Sequence, residues 1–223
     1  MASTRNKAGR EQQAGRTEED TLLDAARACV LAVGLRRTTL TDVARRAGVS
    51  RMTIYRRWPD MRALVGDLMT REWGALTRTA MAAAEGSPSG AGNGAGNGAG
   101  AVDGADRTAR QRFVAAIVAG TRALRHHPVF RRIVELDPEI LLPYLVDRRG
   151  RSQDEMLAMM TAAIAGGAAD GSVRGGDPGL LARGALLAAH GFAVSLQTMT
   201  DDGYDEDALD AQLRLLLDRY LQP

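Results

Sequence analysis

The sequence predicts an all-α chain of about nine helices: an N-terminal three-helix head containing a helix-turn-helix, followed by a larger C-terminal helical body. Aromatic residues make up only 4% of the 223 residues, whereas Ala, Leu and Arg, which favour helix over sheet, recur throughout. Apolar side chains return at helical spacing in segment after segment. The stretch over residues 39–58, TLTDVARRAGVSRMTIYRRW, adds the caps and the turn residue that define two short helices meeting at a sharp angle.

Residues 1–16 are polar, basic and Gly-containing, the composition of a disordered arm. Its Arg5, Lys7 and Arg10 can touch phosphate or a minor groove, or serve only as a solvated tail. Residues 17–63 form the head. Thr17 begins its first helix, with Glu18, Glu19 and Asp20 in the first turn, where acidic groups complement the helix dipole. Leu22, Ala26, Cys29, Val30 and Val33 mark the inward stripe and Gly34 closes it. Cys29 reads as a small core residue, since a lone buried thiol behaves as a hydrophobe.

Thr39 with Asp42 three residues later is an Asp variant of the capping box. Leu40, Val43, Ala44 and Ala47 share a face, Gly48 ends the helix, Val49 plugs the angle and Ser50 caps the next helix. On that second helix, if Ile54 points inward, Met52 and Arg56 point away, with Thr53 and Tyr55 on the flanks. A cation, a phenol, a hydroxyl and a thioether on one outward face suit a DNA groove. Pro59 and Asp60 then break the chain, and Met61, Leu64, Val65 and Leu68 set the period of a connecting helix over residues 64–85. That helix is a candidate lever between head and body. Residues 86–106, GSPSGAGNGAGNGAGAVDGAD, are too poor in apolar side chains to fold and read as a flexible linker spanning roughly 25 Å.

Residues 107–223 make up the helical body, to which the family resemblance described below assigns the regulatory and dimerisation role. One helix carries Phe113, Ala116, Ile117, Gly120 and Leu124; Asp137 and Pro138 look like a cap and first-turn proline, and Pro143 a kink. Ser152 is the expected cap of a helix bearing Met156, Met159, Met160 and Ile164. Asp177 and Pro178 start a helix with Leu180, Gly184, Leu187, Ala188, Gly191 and Val194, whose small residues let a neighbouring helix approach closely. The last helix, from Asp205, has Leu209, Leu213, Leu216, Leu217 and Tyr220.

Charge separates the two parts. Residues 1–80 hold 15 Lys and Arg against 9 Asp and Glu, so the head is basic while the remainder is acidic and the whole chain nets +2. A nucleic-acid-binding head on a non-binding body has this pattern. No G-x-S-x-G, G-x-x-x-x-G-K-[ST] or H-E-x-x-H occurs, so no enzyme, no cofactor and no metal site is expected. The adjacent His126 and His127 point about 100° apart on a helix and do not converge on one ion. One cysteine excludes an internal disulfide. Arg183 and His190 interrupt the most apolar run, so no membrane span is expected and a cytoplasmic protein is.

Residues 17–73 resemble the tetracycline-repressor-like (TetR) bacterial transcription regulators, whose pattern T-x-x-x-[VI]-A-x-x-A-G-V-S-x-x-T-[IL]-Y-x-x-[FW] is matched in register. Thr39, Val43, Ala44, Ala47, Gly48, Val49, Ser50, Thr53, Ile54, Tyr55 and Trp58 supply it. The body resembles the family in helix order. Family members often carry Lys where this chain has Met61, so Arg62 is the substitute phosphate ligand. The resemblance implies a homodimer joined by its last two helices, reading a palindromic operator and released by a small molecule held in the body. The predicted DNA-contacting set is Thr39, Thr41, Ser50, Arg51, Met52, Thr53, Tyr55, Arg56, Arg57 and Arg62. The predicted effector-contacting set is Phe113, Ile117, Tyr144, Met156, Met160, His190, Phe192 and Gln197, whose Met and aromatic walls suit an apolar molecule. The expected partners are thus double-stranded operator DNA, an unknown small-molecule effector and a second copy of the chain. The alternative is a ligand-binding or interaction protein on the same fold that does not read DNA, favoured by the departures at Met52 and Met61.

Overall fold

Thr17 caps the first helix, α1 (Glu18–Val33), through a complete capping box: its hydroxyl accepts from the Asp20 amide at 3.1 Å while the Asp20 carboxylate accepts from the Thr17 amide. Gly34, at φ 85°, ends it. The computed structural model describes residues 17–84 and 107–223; the predicted arm and linker lie outside the described residues. Among the described residues there are ten α-helices, one of them a five-residue turn, two short 3-10 turns and no named strand.

The described chain divides into two compact units. The head comprises residues 17–71 together with Pro128–Arg148; the body comprises residues 72–84, 107–127 and Arg149–Pro223. In the head, α2 (Leu40–Ala47) and α3 (Arg51–Arg57) form the helix-turn-helix, and α4 (Met61–Ala84) begins there and runs on into the body. Leu22, Val30, Val43, Ile54, Trp58, Leu64 and Leu68 are buried in one cluster. Each buried side chain of this size contributes about 1.5–3 kcal/mol relative to exposure. Val33, placed on the inward stripe from sequence, is exposed at the end of α1.

The segment Pro128–Arg148 was expected within the body, yet it packs with the head. Its α6 (Pro128–Leu136) contributes Val129 and Ile133 to the head core. Asp137 was expected to cap the following turn. Instead its carboxylate, in a residue only 3% exposed, accepts from the Leu35 amide at 2.6 Å and more weakly from the Arg36 amide at 3.4 Å, and it makes no cap bond at its own turn (Pro138–Ile140). The two amides left open beyond the end of α1 give this carboxylate two donors where its own turn offers one, and satisfy groups that burial would otherwise leave unpaired. Pro143 sits in the first turn of α7 (Leu142–Val146), where a missing N–H costs nothing.

The body packs α5 (Ala109–Arg125), α8 (Arg151–Ala169), α9 (Pro178–Ser195) and α10 (Glu206–Leu221) around Phe113, Val118, Met160, Ile164, Ala185, Leu213 and Leu217. Gly150, not Ser152, occupies the cap position of α8, with the Gln153 side chain accepting from the Gly150 amide at 2.8 Å. On α5 the buried face is Val114, Val118, Thr121 and Arg125 with Phe113, about a third of a turn from the stripe read in the sequence. On α9 the core face is Leu181, Ala182, Ala185, Leu186, Ala189 and Ala193, whereas Leu180, Leu187 and Val194 face outward. Pro178–Met199 is long and apolar enough to cross a bilayer by composition, with mean hydropathy 1.4; here one side of it forms the core of a helical bundle. Gly184 allows the close helix approach expected of it, since a Cβ there would lie 2.5 Å from the Tyr220 hydroxyl of α10.

Arg125 and Asp210 form a buried pair, with one guanidinium nitrogen 2.8 Å from each carboxylate oxygen. The pair ties the end of α5 to the start of α10. The two adjacent histidines diverge to different carboxylates: His126 meets Glu206 at 3.1 Å, and His127 meets Glu72 at 3.2 Å while its ring packs edge-on against Trp73.

Candidate nucleic-acid interface

The geometry of α3 is set by three short-range devices. Thr39 and Asp42 close a second capping box, and the Thr39 hydroxyl donates to the Asp42 carboxylate at 2.6 Å, which with the other Thr39 bond holds that carboxyl below its ordinary pKa. Gly48 takes the left-handed conformation, φ 72° and ψ 24°, needed to turn the chain between α2 and α3. A Cβ there would meet nothing within 4 Å, so backbone conformation rather than space requires glycine. Ser50 then caps α3 by accepting from the Thr53 amide at 3.1 Å.

With Ile54 and Trp58 fully buried on one side of α3, the opposite side is presented to solvent. Met52 is 78% exposed and Tyr55 49%, and Arg51 and Arg56 are exposed beside them. An exposed Met and Tyr among arginines offers apolar contact to a thymine methyl, a phenol to phosphate and guanidinium forks to guanine edges. Trp58 anchors the far end of α3: its indole N–H donates to Asp67 at 2.8 Å and its ring is 1% exposed.

The remaining predicted contact residues fall on the head in different roles. Thr39 and Ser50 are exposed but their hydroxyls serve as caps, and Thr41 and Thr53 are half-buried. Arg62 is exposed at the start of α4, whereas Met61 packs against the head core. Arg57 is committed elsewhere: it pairs with Glu19 of α1 and lies over the Trp58 ring at 5.9 Å. Thr17, Glu18, Glu19 and Leu22 of the α1 end face Thr53, Arg56 and Arg57 across a shallow cleft. Arg46, exposed at the end of α2, is a further outward cation that sequence reasoning did not select. Its position in a run of two arginines outside the reading helix gave no signal.

The predicted effector residues divide. Phe113 and Met160 are buried in the body core, with Ile117, Met156 and Phe192 packed against it. His190 is half-buried on α9, and desolvation lowers its pKa below the ordinary imidazole value. Gln197 is exposed and donates to Glu206 at 2.5 Å. Tyr144 belongs to the head, where the Arg148 guanidinium lies 5.4 Å from its ring centre. The structure therefore gathers five of the eight in one apolar cluster and leaves Tyr144 outside that unit. Among the described residues no group of three or more His, Cys, Asp or Glu is placed to hold a metal ion.

Residues 22–68 match the bacterial regulatory proteins of the tetR family. An uncharacterised HTH-type transcriptional regulator of Mycobacterium bovis is 33% identical over 200 residues, covering 90% of this chain and 92% of that protein. The HTH-type transcriptional regulator AqdR of Rhodococcus erythropolis is 36% identical over 72 residues, covering 32% of this chain and 35% of AqdR. Among solved structures, the R. erythropolis transcriptional repressor QsdR from the TetR family superposes with TM-score 0.61 at 15% identity, covering 92% of this chain and 94% of QsdR. FadR from Bacillus subtilis, solved in complex with stearoyl-CoA, superposes with TM-score 0.57 at 16% identity, covering 91% of this chain and 98% of FadR. These structures share the fold; the family follows from the longer sequence match together with the helix-turn-helix geometry. The chain belongs to the tetR family of bacterial transcriptional regulators and, as such, is a DNA-binding helix-turn-helix regulator rather than an enzyme.

Proposed function

We propose that this regulator is a cytoplasmic homodimeric repressor that reads a palindromic operator and is released by an apolar small molecule. The outward face of α3 carries the reading: Arg51, Met52, Tyr55 and Arg56 project from a short helix whose opposite side is locked by Ile54 and Trp58. Thr39, Thr41, Ser50, Thr53 and Arg62 surround that helix at positions from which phosphates are gripped, while base edges are left to the arginines and Met52. Two such heads placed about 34–36 Å apart by a two-fold axis meet successive major grooves, which is why a palindrome is the expected target.

In the body, Phe113, Ile117, Met156, Met160 and Phe192 offer an aromatic and thioether lining that can repack around an apolar molecule. His190, kept neutral by burial, supplies a polar tip without a charge. The FadR fold accommodates stearoyl-CoA in B. subtilis, which supports an effector with a long apolar portion. Such a molecule releases DNA only if it binds more tightly to the conformation whose heads do not fit the operator. The helix α4, continuous from head to body, is the proposed lever.

The test is binding of purified protein to the region upstream of its own gene, followed by fluorescence anisotropy. Wild type is expected to bind tightly, with affinity falling steeply with salt. The pair Tyr55→Phe and Arg56→Ala is expected to lose roughly tenfold or more, since a guanidinium–base contact is worth about 1–3 kcal/mol. Unchanged affinity in that variant removes α3 as the reader.

A further inference from the structure

Arg57 lies at the edge of the reading helix, yet it does not project freely. Its guanidinium is paired with the Glu19 carboxylate of α1 and rests over the Trp58 ring. Both side chains start from fixed backbone. Glu19 sits in the first turn of α1, within the Thr17–Asp20 capping box, and Arg57 precedes the buried Trp58 that ends α3. The contact of the Arg57 guanidinium with the Trp58 ring restricts that side chain before it pairs, which lowers the side-chain entropy lost on pairing. The pair lies along the cleft that Glu18, Glu19 and Thr17 share with Thr53, Arg56 and Arg57. The acidic first turn of α1 therefore borders the DNA-reading face.

The Glu19 carboxylate engages one guanidinium nitrogen of Arg57, so a phosphate approaching Arg57 meets a charge already paired with a neighbouring anion. It gains less from that guanidinium than from a free one, and the Glu19 carboxylate beside it repels it. Phosphates are the same in every duplex, so affinity falls for operator and random sequence alike while base contacts by Arg51, Met52 and Arg56 are untouched.

We infer that Glu19 is an affinity-tuning residue, which competes with phosphate for Arg57 and so weakens binding to duplex DNA of any sequence. The inference rests on the reading of this chain as a DNA-binding regulator and adds to it that Arg57 is withheld rather than used.

The experiment measures binding of the full chain to a random-sequence duplex across a salt series, for wild type, Glu19→Gln, Arg57→Ala and the double variant. Glu19→Ser, which keeps a residue suited to a helix N-terminus, serves as a second version, and circular dichroism confirms that each is folded. Releasing Arg57 adds one phosphate contact per head, so the slope of log affinity against log salt is expected to steepen by about 0.9 for each head engaged. Between about 50 and 200 mM salt this is an extra loss of about three- to fourfold per head. The change is expected to vanish when Glu19→Gln is introduced into Arg57→Ala. Equal slopes for wild type and both Glu19 variants overturn the inference alone, as does a gain that persists without Arg57. Absence of any DNA binding by wild type and variants at the lowest salt overturns the inference and the DNA-binding reading together.

Discussion

At the scale of single residues, the immediate surroundings of polar groups decide how they respond to pH. Trp58 finds Asp67 for its indole N–H and fixes the end of the reading helix. His190 shows the opposite case, an imidazole whose pKa is lowered by desolvation. Its unfolded counterpart titrates near about 6.5. Above that pH both states are neutral and the group contributes nothing. Below it the unfolded chain takes up a proton that folded His190 refuses, so stability falls as pH drops through 6.5 toward the lower folded value. Asp42 and Asp170 have the same direction in a lower window: their carboxyls, held down chiefly by the Thr39 and Ser172 hydroxyls, stabilise the fold above the ordinary carboxylate range and lose that contribution as pH falls through their folded values. The His190→Gln variant is therefore expected to flatten the stability profile as pH falls below about 6.5 while leaving the acid limb intact. Urea midpoints measured across that range check it, and an unflattened profile assigns the dependence to another group.

At the scale of elements, the helices whose ends carry Thr, Ser or Asp were legible in the sequence because a cap is a local interaction. Thr17, Thr39, Ser50, Asp177 and Asp205 all accept from an amide of the first turn. The outward face of α3 was legible for the same reason, since one buried Ile54 fixes the phase of a seven-residue helix. The body was less so. Apolar residues run nearly all round α9, so periodicity cannot tell its core face from its outer one. The proposed effector-contacting set depends on how helices far apart in sequence meet, which no local signal reports. Asp137 is the sharpest case: a carboxylate next to a proline looks like a cap, and only the meeting of residues about a hundred positions apart sends it to the Leu35 and Arg36 amides. Replacing it by Ala leaves the buried Leu35 donor unsatisfied, at a cost of about 1–3 kcal/mol. Asp137→Asn keeps an acceptor oxygen and is expected to lose less. Denaturant titration of the three proteins checks that order, and an Ala variant as stable as wild type shows that water replaces the carboxylate at no cost.

At the scale of the whole molecule, the proposed operator geometry requires two heads, and the outer faces of the last two long helices are where a second copy would seat. Leu180, Leu187 and Val194 recur at seven-residue spacing along α9, and Leu187 is 71% exposed in the single chain. Leu215 and Leu216 are exposed on α10. The same helices turn their other faces into the body core, through Ala185 and Leu186 on α9 and Leu213 and Leu217 on α10. A charge on the outer face therefore tests association without disturbing the fold. Leu187→Glu removes no core contact and should change single-chain stability by at most about 0.5 kcal/mol. In a dimer joined there, two such carboxylates are brought together across the two-fold axis in an apolar interface, where unpaired charge is strongly disfavoured. Sedimentation is expected to show a dimer for wild type and a monomer for Leu187→Glu. Operator binding should weaken in step with the loss of the dimer, because each head then engages its half-site alone. A Leu187→Glu protein that stays dimeric places the interface elsewhere, and one that is monomeric yet binds the operator as tightly as wild type removes the need for two heads.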